Sequence, residues 1–197
     1  MTCAILILAS GASSRMRGGD KLLEKVGGWP LVATLALSAR TASPMVFVTV
    51  PTVNHPRADA LEGLPATLVP VPDAQDGMSA SIRRGVDALP EEAAAVMLLP
   101  ADMPELTAQD LRDVITLWRQ QPDTITQATG QDGTPGHPVI FPRRLFPALK
   151  ALTGDQGART ILQAETPQRI ALPARHALTD LDTPEDWASW RRANAHR

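Results

Sequence analysis

A chain of 197 residues, 44% of them hydrophobic and 20% charged, carries enough apolar side chains for one ordinary globular core, so a single domain over 1–197 is expected. Its 21 acidic and 19 basic residues leave a net charge of −2 with no run of like charge, which argues against a nucleic acid or an anionic membrane as the main partner. The first apolar run, Ala4–Ala9, is too short for a leader core or a membrane span, so a cytoplasmic protein is expected, and the lone Cys3 reads as a small buried hydrophobe.

In chain order, a strand over Ala4–Ala9 is followed by a helix over Pro30–Thr41 and a strand over Met45–Val50. Next come a strand at Thr67–Val71, a helix at Met78–Leu89 and a buried strand at Ala94–Pro100. This is the rhythm of βαβ units, and it predicts a three-layer α/β/α domain around a mostly parallel sheet. A helix over Ala108–Gln121 starts from Thr107, with Asp110 three residues on in capping-box spacing. Strands near Asp123–Ala128 and Pro138–Phe141, a helix near Ala158–Ala164, a strand near Gln168–Leu172 and a last helix from Pro184 complete the order. The 18 prolines fall at element ends, where a missing N–H is tolerated.

Between the first strand and the first helix the chain reads LASGASSRMRGGDKLL. Gly11, Gly18 and Gly19 let the backbone approach a ligand, and successive N–H groups there can surround phosphate oxygens. Lysine is rare, only Lys21, Lys25 and Lys150, and Lys21 closes this loop, where a flexible ammonium suits a polyphosphate. An ordinary turn with a solvated lysine is the competing reading. Two other phosphate loops are excluded. A Walker loop needs Gly before and Ser or Thr after the lysine, whereas Asp20 and Leu22 flank Lys21, and G-x-G-x-x-G spacing is missing.

Carboxylates recur at strand ends. Asp102 in LPADMP lies just past a buried strand, where ligands collect in open α/β sheets, and a hard oxygen ligand there suits Mg²⁺. Asp180 and Asp182 in LTDLDTPEDW are two apart and share one face if extended, while Thr183 and Pro184 serve as N-cap and first residue of the final helix. Solvated loop aspartates are the alternative.

Three segments in this order resemble the MobA-like NTP transferase superfamily, and most closely the molybdenum cofactor cytidylyltransferases: the loop with Leu8, Ala9, Gly11, Ser13, Arg15, Met16 and Lys21, then LPADMP, then DLDTPED. The resemblance implies a Rossmann-like fold of the nucleotide-diphospho-sugar-transferase type. It implies that the loop, including Ser10, wraps an NTP with Arg15 and Lys21 on its phosphates, and that Asp102 holds Mg²⁺ with Asp182, or its neighbour Asp180. DGMSASIRRGV resembles the segment that meets base and ribose, implicating Gly77 and Ser81, with helix capping as the alternative reading of Ser79 and Ser81. PGHP and GDQGAR resemble segments bordering the acceptor, implicating His137, Asp155 and Arg159, although a structural histidine and a helix-start aspartate explain two of these as well. Ser10 stands where cytidylyltransferases carry Ala and guanylyltransferases Gly, and Arg17 stands where Gly is usual.

The implied reaction is transfer of CMP from CTP to the terminal phosphate of molybdopterin, with pyrophosphate released and a molybdenum hydroxylase as a candidate recipient of the cofactor. A guanylyltransferase, or a transferase for another phosphorylated small acceptor, stays open, as does a non-catalytic cofactor-carrying chaperone. Retention of Lys21, Asp102 and Asp182 speaks against the chaperone, and His55, His176 and His196 show no metal-site spacing.

Overall fold

The computed structural model describes residues 1–154 and 157–194. Its elements in chain order are β1 (Thr2–Leu8), the two-residue strands β2 (Lys25–Val26) and β3 (Trp29–Pro30), α1 (Leu31–Ala42), β4 (Val46–Val50), α2 (Pro56–Asp59), β5 (Thr67–Pro70) and α3 (Met78–Asp87). After these come β6 (Ala93–Pro100), α4 (Ala108–Trp118), β7 (Thr126–Thr129), β8 (Pro135–Pro142), α5 (Phe146–Lys150), α6 (Arg159–Ala164), β9 (Gln168–Ala171) and α7 (Pro184–Ala193).

Seven strands form one sheet in the order β5-β4-β1-β6-β8-β7-β9. β5, β4, β1 and β6 run parallel; β8 is antiparallel to both β6 and β7, and β9 is parallel to β7. Alternation along the strands builds the three layers. Ile5 and Ile7 of β1, with Met97 and Leu99 of β6, face a core shared with Leu31 and Leu35 of α1, Leu111 of α4 and Trp187 of α7. Leu6, Val96 and Leu98 face the opposite core, with Ile82 of α3 and Phe146 and Leu149 of α5. The parallel strands are apolar on both faces because helices cover both. Among the described residues, no helix is long and apolar enough to cross a membrane.

The mostly parallel three-layer prediction holds, with β8 the exception. Period-two patterning carries no direction, so the reversal of β8 was not legible. α4 stops at Trp118, short of the expected Gln121, where a turn ahead of Pro122 lets the Trp118 indole N–H donate to the Pro122 carbonyl at 3.0 Å. Four elements went unpredicted: the two strands of the β2–β3 hairpin turning on Gly27 and Gly28, both at positive φ, and the short helices α2 and α5. Both predicted capping sites form: Thr107 and Thr183 cap α4 and α7 in capping boxes completed by Asp110 and Asp186. Trp118 and Trp187 are buried packing residues.

This topology puts the carboxyl ends of β1, β4 and β6 along one edge. The loop after Leu8, the segment leading to α2, and Asp102 all leave the sheet there. Because β8 is reversed, its first residues reach the same edge, Val139 pairing with Leu98. The chain beyond β9 returns there too: His137 N–H donates to the Ala177 carbonyl at 2.9 Å, and Leu181 N–H to the Asp102 carbonyl at 3.1 Å.

Candidate active site

From Leu8 the backbone leaves the sheet as a loop that rejoins the fold where Val32 N–H donates to the Leu22 carbonyl at 3.1 Å. Ser13 and Arg17 both adopt the left-handed conformation, φ +50° and +52°, flanking a single 3-10 turn, Ser14–Met16, anchored by the buried Met16. A left-handed residue other than glycine costs about 1 kcal/mol, a cost that glycine would avoid at the position of Arg17. Among the described residues, the N–H groups of Gly11, Ala12 and Ser13 donate to no protein acceptor. Such a run of free amides is a concave anion cradle.

The cradle opens on a cavity of about 440 Å³ lined by Leu8, Ser10, Gly11, Lys21, Gly77, Ser81 and Asp102, among others, a volume in the range of small-ligand sites. Ala9 lies buried behind it, its N–H on Thr49 Oγ1 at 2.9 Å. Gly77 has φ +92° and ψ −172°, a conformation open essentially to glycine alone, and it turns the chain so that α3 starts at the cavity wall. At the floor the buried hydroxyls of Ser10 and Ser81 hydrogen-bond each other. Neither Ser79 nor Ser81 caps α3, against the capping reading: Gly77 is the N-cap, and the buried Ser79 hydroxyl accepts from Arg83 at 3.2 Å.

Lys21, Asp102 and Asp182, distant in sequence, meet at one point. Lys21 Nζ donates to Asp102 Oδ2 and to Asp182 Oδ1, 2.6 Å each, and Arg15 reaches Asp182 Oδ2 at 2.8 Å. Burial favours the neutral amine, but the two carboxylates outweigh it and hold the Lys21 pKa above its ordinary value. Asp102 Oδ1 is buried with no partner among the described residues. An orphaned carboxylate oxygen beside a second carboxylate, with a cation already between them, has the chemistry of a hard-metal site that takes one or two protein oxygens and completes its shell with water and phosphate. Among the described residues there is no cluster of three or more His, Cys, Asp or Glu side chains that could hold a metal by itself. Asp180 is exposed and makes no hydrogen bond or ion pair with these side chains among the described residues, but it shares a cavity wall with Asp102.

Beyond Met78, which is 47% exposed and lines three adjoining cavities, lie two further spaces. One, about 270 Å³, has Asp102, His137 and Asp180 in its wall. The other, about 310 Å³, is mainly apolar, with Ile82, Leu98, Val139 and Phe141 against the exposed Arg159. His137 stands between them. Its Nδ1 is buried without a partner among the described residues, and burial lowers its pKa below 6.5 against the opposing pull of Asp102 and Asp180, so it is neutral at pH 7. Asp155 lies outside the described residues, as does His196. Two other histidines are structural: His55 caps α2, its Nδ1 accepting from Arg57 N–H at 3.2 Å, and His176 pairs with Asp110 at 2.9 Å.

Sequence reasoning missed Arg57 of α2, a fully buried arginine whose guanidinium lies directly beneath the loop. An arginine following a proline gives no such signal. Met78 was missed as well.

Residues 5–170 match the model of the MobA-like NTP transferase domain. The purine catabolism protein PucB of Bacillus subtilis is 29% identical over 204 residues, covering 95% of both chains. The molybdenum cofactor guanylyltransferase of Serratia proteamaculans is 30% identical, covering 95% of this chain and 93% of its own. Against the longer bifunctional GlmU of Cutibacterium acnes, 29% identical over 133 residues, the chain spans only 31% of that protein. Among solved structures, Rv0371c from Mycobacterium tuberculosis aligns with a TM-score of 0.81 at 23% identity, covering 98% of each chain, and a manganese complex of Rv0371c aligns at 0.77 and 22%, covering 96% of this chain and 97% of its own.

Proposed function

From the premise that the chain belongs to the MobA-like NTP transferase family, a nucleotidyltransferase family, we propose that it transfers CMP from CTP to the terminal phosphate of molybdopterin, releasing pyrophosphate and forming the cytosine dinucleotide. The observation that carries this reading is the meeting of Lys21, Asp102 and Asp182 beside a nucleotide-sized cavity that Lys21 and Asp102 line, with Asp102 also in the wall of a second cavity that holds His137. The triphosphate lies along the amides of Gly11 to Ser13, with Arg15 and Lys21 neutralising its oxygens. The base enters the 440 Å³ cavity towards Ser10 and Ser81. The apolar wall of Ile82, Val139 and Phe141 suits a flat heteroaromatic ring better than a sugar, whose hydroxyls it would leave unpaired.

Asp102 and Asp182 are the residues that would hold a divalent cation, read as Mg²⁺, and the ion would supply neutralisation of charge on the phosphates. The rest is positioning by the chain. A phosphate monoester is largely dianionic at neutral pH, its second pKa being about 6, so no general base is needed. Arg159 and His137 orient the acceptor; neutral His137 donates or accepts one hydrogen bond without adding charge. Met78 separates nucleotide from acceptor except where the two phosphates must meet. A cytoplasmic location and delivery of the product to a molybdenum hydroxylase belong to the same reading.

The name of the Serratia relative favours one second reading, GTP as the donor. Calorimetric titration with each NTP separates the two. Tighter binding of CTP than of GTP is expected, and the reverse order would reassign the protein to guanylyl transfer.

A further inference from the structure

Arg57 is 1% exposed, and each of its five guanidinium N–H donors has an acceptor. Nε donates to Asp20 Oδ2 at 2.7 Å, and one terminal nitrogen donates to the backbone carbonyls of Ala9 at 2.6 Å and Gly11 at 2.7 Å. The other terminal nitrogen donates to Ser13 Oγ and Asp20 Oδ1, 2.9 Å each. The Asp20 carboxylate also accepts from Leu22 N–H at 3.0 Å, so one ion pair joins both ends of the loop. Burying a charge is costly, and a protein seldom does so merely to fill a core. Here the buried charge gathers the carbonyls of residues 9 and 11 on the underside of the loop. A peptide whose carbonyl is fixed on one side presents the N–H of the next residue on the other, so the held carbonyls of Ala9 and Gly11 orient the N–H groups of Ser10 and Ala12, and Ala12 is among the residues whose amides have no protein acceptor, while Ser13 is held through its hydroxyl.

We propose that Arg57, with Asp20, is a positioning residue that sets the affinity of the loop for a polyphosphate, holding its amides in the anion-binding arrangement before the ligand arrives. Arg57 touches no substrate in this account. It acts through the backbone of residues 9–13, and its fixed positive charge beneath the loop adds to the attraction for the anion above. The proposal rests on the reading of this loop as the triphosphate site and adds to it the device that organises it. Lysine cannot replace the arginine, because a single ammonium has three donors and no fork to span two carbonyls, a hydroxyl and a carboxylate.

The test is titration of inorganic triphosphate in the presence of Mg²⁺ into wild type, Arg57→Lys, Arg57→Met, Arg57→Ala and Asp20→Asn, with thermal unfolding measured on each. Dissociation constants should rise by about tenfold or more in Arg57→Met, since the whole cradle is unpinned, and by less in Arg57→Lys. In Arg57→Ala, millimolar guanidinium should restore part of the lost affinity. If the arginine variants fail to fold, Asp20→Asn decides, because it keeps the arginine and removes half of the clamp; it should weaken triphosphate several-fold. Folded variants that bind triphosphate within twofold of wild type, however much less stable, would overturn the assignment and leave the nucleotidyltransferase reading standing. A wild type that binds neither triphosphate nor any NTP would overturn both.

Discussion

Replacing Lys21 by Met removes the ammonium that Asp102 Oδ2 and Asp182 Oδ1 share at 2.6 Å and leaves two carboxylates facing each other across the space of one cation. Breaking a fully buried ion pair by removing one partner costs about 3–5 kcal/mol. The three side chains here keep 16%, 18% and 19% exposure, so water relieves part of the repulsion, and a loss of about 2–3 kcal/mol is expected. For a domain of this size each kcal/mol moves Tm by about 2–4 °C, so the variant should melt roughly 4–12 °C below wild type. The same change frees both carboxylates for a divalent ion. Manganese at about one hundred times its dissociation constant stabilises by about 2.7 kcal/mol, enough to offset the loss. Thermal unfolding with and without Mn²⁺, alongside paramagnetic resonance of the free ion, measures both effects. Wild type should bind Mn²⁺ weakly until a nucleotide draws Lys21 away, whereas Lys21→Met should bind it without nucleotide. A variant as stable as wild type, or one whose Tm ignores Mn²⁺, would refute the view that Lys21 holds the place of the metal.

Asp102→Asn and Asp182→Asn should each collapse turnover, by about a hundredfold or more, with circular dichroism unchanged, and the exposed Asp180→Asn should be milder; steady-state rates on the three variants check this order. Burial raises the Asp20 pKa, but the hydrogen bonds from Arg57, Leu22 N–H and Ser13 prevail and hold it below 3.8 in the fold. A depressed carboxylate contributes stability that is complete above the unfolded value and lost as pH falls through the folded one. Asp20→Asn should therefore narrow the stability gap to wild type in acid melts below about pH 4. A Cβ on Gly136 would sit 2.1 Å from the Ala177 carbonyl oxygen, which also accepts from His137 N–H. Gly136→Ala should lower Tm and raise the KM for the acceptor, because it displaces the segment leading to Asp180 and Asp182.

What was legible in the sequence was local or sat at a strand end. Thr107 with Asp110, and Thr183 with Asp186, close within three residues, so their spacing alone reveals the caps. Asp102 and Lys21 follow strands whose apolar runs are unmistakable, and parallel topology then forces them to one edge. The direction of β8 was not legible, nor was Arg57, whose partner Ala9 lies 48 positions away and whose flanking residues carry no periodic signal. The role of Lys21 was half legible. Its loop points to phosphates, yet in the structure the ammonium lies on the carboxylates, since that is where the opposite charge is. The hairpin on Gly27 and Gly28 had a readable turn but strands of only two residues, too short for alternation to register.

The proposed role of the cluster of Lys21, Asp102 and Asp182 is nucleotidyl transfer to a phosphorylated pterin. Pyrophosphate release, measured with Mg²⁺ and each of the four NTPs, with and without molybdopterin, tests it most directly. The account predicts release with CTP that depends on molybdopterin and on the metal. Release that is indifferent to molybdopterin, or absent with every NTP while the folded protein still binds nucleotide, would contradict it.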